Sequence, residues 1–325
     1  MRELSYVEAA REALSGEMAR NPGIFVLGEG IGKRGGNFAT TVGLFDLYGP
    51  ERLRDTPICE RGFVGLATGA AMAGARPVVD FMFSDFILDA LGELINQTAK
   101  IQYMSGGRIR MPIVLRGCIG IGNSSATHHS GNYYPLYTHF PGFRVAVPTT
   151  PRDARGLLLT ALRGDDPVLF LEHKSLLATR GPVPEEEELI PFGKASTVRK
   201  GKDLTVVAIA AMVPRALKAC GEVARDGISV ELIDPRTLAP LDDGAIIESV
   251  ARTGRLLVVD ETFAPCGIGA EIGARVMERA FDELDAPVRR LNGAHVPTPY
   301  SPPLEAAVVP QVEAIARAIR DLAAE

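Results

Sequence analysis

The sequence predicts an α/β protein of two domains, each a mainly parallel sheet flanked by helices. Short apolar runs rich in Val, Ile and Leu alternate with longer stretches of helical apolar spacing, the pattern of strands joined by crossover helices. A chain of 325 residues with 46% hydrophobic content carries enough apolar material for two cores. Between Thr179 and Pro191 lie three prolines, a glycine and the run Glu185-Glu186-Glu187-Glu188. That composition buries little and suits an exposed, solvated connector. The expected domains are therefore 1–185 and 186–325.

The elements follow in order. Apolar residues at helical spacing predict a helix over 5–20, ended by Asn21-Pro22-Gly23 before a strand at 24–27. Strands at 77–81, 112–116, 144–147 and 168–171 alternate with a long helix over 86–105 and another over 151–163. Beyond the connector come strands at 204–210, 229–233, 256–260 and 288–291. Helices are expected over 213–225, 243–253, 268–281 and 311–322. Such alternation implies parallel sheets covered on both faces.

Composition excludes some function classes. With a formal net charge of -5 and scattered Lys and Arg, no broad basic surface exists for nucleic acid. Cys59, Cys118, Cys220 and Cys266 lie far apart and make neither a redox pair nor a zinc-ligand spacing. No apolar signal core opens the chain, and no uncharged stretch reaches a membrane span. The expectation is a soluble, cytoplasmic protein with reduced thiols and neither a nucleic-acid nor a membrane partner.

Three segments invite functional readings. Gly28-Glu29-Gly30-Ile31-Gly32-Lys33 follows a strand, but it has Lys33 where the dinucleotide fingerprint needs glycine. It also has Leu27 and Arg34 where a phosphate-binding P-loop needs glycine and Ser/Thr. It reads as an ordinary strand-to-helix loop. Glu60 follows Asp55-Thr56-Pro57-Ile58-Cys59 and precedes the small-residue run 64–74. Pro57 pushes Thr56 toward an extended conformation, and the Gly/Ala run makes a slim helix that another backbone can approach. Glu60 is thus expected at a strand-to-helix turn, and from spacing alone it is a solvated helix-start carboxylate with a capping or dipole role. His128-His129-Ser130 follows a glycine-rich loop. Adjacent histidines point in different directions, so spacing alone gives an ordinary loop pair.

Taken together, several fragments change this reading. Asp-Thr-Pro-Ile-x-Glu at 55–60, Tyr-Met-x-Gly-Gly at 103–107 and His129-Ser130 are followed by Pro-Gly-Phe-Arg-Val at 141–145. Ile-Asp-x-Arg-Thr at 233–237 and Gly-Arg-Leu-Leu-Val-Val-Asp-Glu at 254–261 complete the set. In this order the chain resembles the beta subunit of the thiamine diphosphate-dependent decarboxylating component of 2-oxo acid dehydrogenase complexes, with pyruvate, branched-chain and acetoin members. The resemblance implies a transketolase-like pyrimidine-binding domain followed by a transketolase C-terminal-like domain.

It also implies roles. Glu60 would supply a proton to the far ring nitrogen of the cofactor's aminopyrimidine, with Ile58 and Phe63 providing an apolar setting that raises its pKa. Phe86 would pack on the aminopyrimidine, Ile58 would line the same pocket, and His129 would meet the substrate or incoming acyl acceptor. The family often has glutamine after His-Ser, whereas this chain has Gly131; it usually has two acidic residues where this chain has Glu29 and Gly30.

No Gly-Asp-Gly segment is present, so an alpha subunit would hold the diphosphate and Mg2+ in an alpha2beta2 assembly. Some members bind structural potassium through backbone at positions matching Ile113, Ala161, Gly164 and Asp166. The implied reaction cleaves a small 2-oxo acid, or acetoin, and passes the acyl unit to a lipoyl-bearing acyltransferase. Leu171-Glu172-His173-Lys174 and Ala294-His295-Val296-Pro297 lean toward acetoin-type members. The alternatives are a two-chain transketolase-like or carboligating enzyme, and a non-catalytic assembly subunit.

Overall fold

The computed structural model describes residues 1–325. The chain forms two compact units, one of residues 1–119 and 136–192, the other of 120–135 and 193–325. No helix is long and apolar enough to cross a membrane.

In the first unit, β1 (Arg2–Ser5) leads into the helix Tyr6–Arg20. Ser5 caps this helix: its hydroxyl accepts the Glu8 N–H, while the Glu8 carboxylate accepts the Ser5 N–H at 2.7 Å. The strands β2 (Ile24–Gly28), β3 (Leu53–Asp55), β4 (Arg76–Phe83), β5 (Val114–Ile119), β6 (Arg144–Ala146) and β7 (Val168–His173) follow. They lie in the order β6-β7-β5-β4-β2-β3, with every pair among them parallel. The residues of the central strands β5 and β7 are buried on both faces, as expected of a sheet sandwiched by helices. A short strand β8 (Arg180–Val183) pairs antiparallel with β1. Neither short strand has the apolar alternation that would have revealed it.

Two expectations for this unit are corrected. The helix expected over 86–105 is broken into a 3-10 turn at Ser84–Ala90, a π turn at Leu94–Thr98 and a short α-helix at Ile101–Met104. The Thr98 hydroxyl reaches back to the Glu93 carbonyl at 3.3 Å and meets the Thr68 hydroxyl at 2.7 Å. Side-chain bonding of this kind interrupts the regular ladder. The acidic connector, expected to be solvated, is instead tied down. Glu187 pairs with Arg20 and Arg163, and Glu188 with Arg152. Hydrogen bonds from Arg20 and Arg163 bring the Glu187 carboxyl down to about 2. Arg155 donates to the Pro184 and Glu186 carbonyls at 3.0 and 2.9 Å, and Ile190 is buried over Gly156. These contacts keep the connector on the first unit as far as Phe192, not 185.

The second unit is a smaller sheet in the order β14-β13-β10-β11-β9. It comprises β9 (Ser196–Arg199), β10 (Leu204–Ala208), β11 (Val230–Asp234), β13 (Leu256–Phe263) and β14 (Arg289–Gly293), with β12 (Thr237–Ala239) a further short strand. All its pairs are parallel except that of β9, which runs antiparallel along the edge. Val206, Val207, Leu232, Val258 and Val259 form its centre. The helix Val312–Ala323 turns Ile315, Ala316, Ile319 and Leu322 inward. The segment 120–135, expected within the first domain, belongs to this unit.

A buried ion pair crosses the first sheet. Arg116 on β5 donates twice to Glu172 on β7, at 2.9 and 3.0 Å, with each side chain 2% exposed. Burial pushes the Glu172 carboxyl up, against the pull of Arg116. Removing one partner strands a charge in the core. Glu172→Ala should therefore cost about 3–5 kcal/mol of unfolding free energy in denaturant titration, and Arg116→Met combined with Glu172→Leu should recover most of the loss. An unchanged midpoint for Glu172→Ala would refute this.

Candidate functional site

The first cluster of site residues stands at the carboxyl end of the first sheet, the end at which open α/β sheets take their ligands. β2 ends at Gly28, whose φ is +154°; a Cβ there would lie 2.2 Å from the Asp80 carbonyl oxygen. Only glycine lets β2 and β4 meet this closely and release Glu29 into the loop. The Thr56 N–H donates to the Gly28 carbonyl at 3.0 Å, and the Gly32 N–H donates to Asp55 at 2.9 Å. These bonds fix the Asp55-Thr56-Pro57 turn. The helix Glu60–Met72 then starts at Glu60, with Cys59 as a cap that makes no side-chain bond.

Glu60 is therefore no solvated cap. It is 8% exposed and sits in the first helical turn, where the helix dipole favours negative charge. Burial, together with the neighbouring Glu60 carboxylate, pushes the Glu29 carboxyl up. The two glutamates thus share one field. Phe63 is buried and packs on Phe81 at a ring distance of 5.5 Å. Ile58 does not shield Glu60 as expected: its side chain is 82% exposed, because it precedes the helix and points away from the core.

Phe86 is half-buried in an aromatic cluster: it meets Phe83 edge-on at 6.1 Å, and Phe83 meets Phe38 at 5.1 Å. A backbone irregularity aims this cluster. Pairing between β4 and β5 breaks between Asp80 and Phe83, and Met82 adopts φ +61°. The Asp80 carboxylate holds this strained turn by accepting the Met82 N–H at 3.0 Å and the Thr40 hydroxyl at 2.8 Å. Lys174, itself buried, places its ammonium 5.9 Å from the Phe83 ring centroid. Sequence reasoning assigned no role to Asp80 or Lys174, since only the folded register brings them to Phe83.

His129 belongs to the second unit. It is half-buried in the turn Thr127–His129, while His128 is exposed. The segment around it is anchored on several sides. Tyr134 donates its hydroxyl to Asp260, and Glu261 accepts the Ile121 N–H and, at 3.0 Å, the Asn132 side-chain amide. Glu305 accepts the Ser124 N–H at 3.2 Å, and the Thr127 hydroxyl donates to the Thr298 carbonyl at 2.9 Å. Burial pushes the carboxyl of Asp260 up and the hydroxyl of Tyr134 well up. Beside the segment lies a cavity of about 400 Å3 lined by Ile121, Ser130, Gly131, Glu261, Phe263 and His295, among others. The Phe263 and His295 rings meet edge-on at 5.1 Å. Asp260 and Glu261 close the motif at 254–261, which gave no hint of their contact with the histidine segment.

No group of three or more His, Cys, Asp or Glu side chains converges in a metal-binding arrangement. Of the four candidate potassium positions, Ile113 and Gly164 have carbonyls that accept protein donors. The Ile113 carbonyl accepts the Val168 N–H at 2.9 Å, and the Gly164 carbonyl accepts the Arg76 guanidinium, which also bonds the Leu162 carbonyl at 3.0 Å. The Asp166 carboxylate takes Gln102 at 3.1 Å and Arg144 at 2.7 Å. The fixed charge of Arg76 disfavours a second cation at the Gly164 carbonyl.

Comparison with known proteins fits this geometry. Residues 2–180 match the family "Transketolase, pyrimidine binding domain" and residues 193–315 match "Transketolase, C-terminal domain". The chain is 44% identical to the beta subunit of the acetoin:2,6-dichlorophenolindophenol oxidoreductase of Cupriavidus necator, covering 98% of this chain and 97% of the relative. It is also 44% identical to the pyruvate dehydrogenase E1 component subunit beta of Rickettsia bellii, with 98% of each chain covered. The mitochondrial pyruvate dehydrogenase E1 subunit beta-2 of Oryza sativa is 45% identical over 98% of this chain and 86% of its own. A split-gene transketolase, solved as an inactive beta4 tetramer, has a TM-score of 0.80 at 20% identity over 99% of this chain and 98% of its own, a likeness of fold. With both domain families matched and its relatives similar over nearly their whole length, the chain belongs to the family of beta subunits that pyruvate dehydrogenase E1 components and acetoin oxidoreductases share.

Proposed function

We propose that this chain is the beta subunit of an alpha2beta2 thiamine diphosphate-dependent 2-oxo acid or acetoin dehydrogenase and supplies the aminopyrimidine side of its active site. The observation that carries the reading is the buried Glu60 at the start of a small-residue helix, with the carboxyl of Glu29 beside it pushed up. A carboxyl held out of water at the ligand end of a parallel sheet suits proton exchange with a ring nitrogen. Phe86 offers an aromatic face for the aminopyrimidine, and Ile58 an apolar one.

Glu60 and Phe86 would hold the aminopyrimidine side of thiamine diphosphate, a cofactor that would supply a nucleophilic carbon and an electron sink for cleavage next to a carbonyl. Glu60 holds a proton at the far ring nitrogen of the aminopyrimidine. On the acceptor side, His129 serves the incoming lipoyl group of a partner acyltransferase. The alpha subunit holds the diphosphate and Mg2+. Ile58, Leu66, Met72, Tyr103 and Met104 are exposed apolar side chains of the first unit, a feature that fits coverage by a partner chain. Relatives named for pyruvate and for acetoin are equally similar, so the substrate is proposed as a small 2-oxo acid or acetoin, with residues 171–174 and 294–297 favouring acetoin.

The isolated beta chain should bind thiamine diphosphate with Mg2+ weakly or not at all in calorimetry, since half the cofactor contacts belong to the alpha chain. Micromolar binding would defeat the two-chain reading. In the alpha2beta2 complex, Glu60→Gln keeps size and hydrogen bonding but cannot deliver the proton, and turnover should fall at least ~100-fold while assembly is retained. His129→Ala should cripple acyl transfer to the lipoyl partner yet leave decarboxylation measurable with an artificial electron acceptor. If His129 instead held the substrate carboxylate, both assays would fall together and KM would rise.

A further inference from the structure

The loop that carries His129 has a backbone its own residues do not favour. Gly120, Gly122, Asn123, Ser124 and Ala126 all have positive φ, with Ala126 at +58° and Ser124 at +51°. A side chain at such angles is strained, and the conformation persists only where the surroundings impose it. A long bond, Gly120 N–H to the Gly131 carbonyl at 3.4 Å, ties entry to exit. Side chains outside the loop add further anchors.

One carboxylate oxygen holds both limbs of the loop. Glu261 Oε1 accepts the Ile121 N–H on the entering limb and the Asn132 side-chain amide on the leaving limb. His129 lies between these two anchors. Glu261 is 5% exposed and sits where the pairing of β13 with β14 breaks, between Asp260 and Phe263, so the strand irregularity turns it toward the loop. Charge-assisted bonds from a desolvated carboxylate are the strong kind. Ser124 and Thr127 have further anchors on Glu305 and Thr298, but each of these holds one point.

We propose that Glu261 is a positioning residue for His129, clamping both limbs of the 120–132 loop so that the imidazole is presented to the acyl acceptor in a fixed place. The functional half of this inference rests on the reading of His129 as an acceptor-side group; the clamp itself does not.

The test uses the alpha2beta2 complex with Glu261→Ala, Glu261→Gln, His129→Ala and the Glu261→Ala/His129→Ala pair. Each is assayed for acyl transfer, dye-linked decarboxylation and amide hydrogen exchange over 120–132. Glu261→Ala should speed exchange across the loop and lower acyl transfer ~10-fold, with dye-linked turnover within ~3-fold of the parent. Glu261→Gln keeps the oxygen that accepts both bonds and should restore transfer to within ~3-fold. In the His129→Ala background, Glu261→Ala should cause no further loss, because two residues acting through one group are not additive. Parent-like exchange in Glu261→Ala overturns the clamp, and an additive loss in the double variant overturns its action through His129. Faster exchange in Glu261→Ala combined with a harmless His129→Ala would support the clamp and instead remove His129 from acyl transfer.

Discussion

The withdrawal of Glu60 from water is the constraint on which the rest of the first unit turns. A carboxyl at a helix start is ordinarily solvated, and the dipole there favours its charged form. This one is buried with a second carboxyl, Glu29, in its field. The arrangement depends on several local devices. Gly28 lets two strand ends converge, Thr56 bonds back to Gly28, and the helix that starts at Glu60 buries Phe63, Val64, Ala67 and Ala71. Asp80 is common to both sides of the cluster: its backbone oxygen limits residue 28 to glycine, while its carboxylate holds the Met82 turn that delivers Phe83 and Phe86. Geometry and chemistry are therefore not separable here.

The second unit does a different task. Asp260 and Glu261 at the end of β13, with Glu305 on the helix Pro302–Val308, hold a loop drawn from the middle of the first unit's sequence. A loop with several strained residues pays for itself only if it is held. The division of labour is then legible in hydrogen bonds: the first sheet builds a desolvated acid, and the second fixes a half-buried imidazole.

Much of this was visible in the sequence where the causes are local. Pro57 and the Gly/Ala run place Glu60 at a strand-to-helix turn, and Thr150-Pro151 with the apolar spacing beyond it gives the helix Pro151–Arg163 at the expected limits. What escaped depends on contacts distant in the chain. The helical pattern over 86–105 is real, but the Thr98 hydroxyl breaks the ladder. The acidic run looked like a linker because its arginine partners, Arg20, Arg152 and Arg163, come from other elements. Ile58, expected to bury Glu60, is exposed. The allegiance of 120–135 to the second unit is set by residues more than 120 positions away in sequence, which no local pattern records.

The proposed role of Glu60 is to supply a proton to the aminopyrimidine. Its most direct measurement is the exchange of the cofactor's reactive-carbon proton for deuterium in the assembled complex, followed by quenched-flow NMR, for the parent and Glu60→Gln. The account predicts exchange slower by at least ~100-fold in the variant, the scale of a lost acid-base group. Exchange at the parent rate would contradict it.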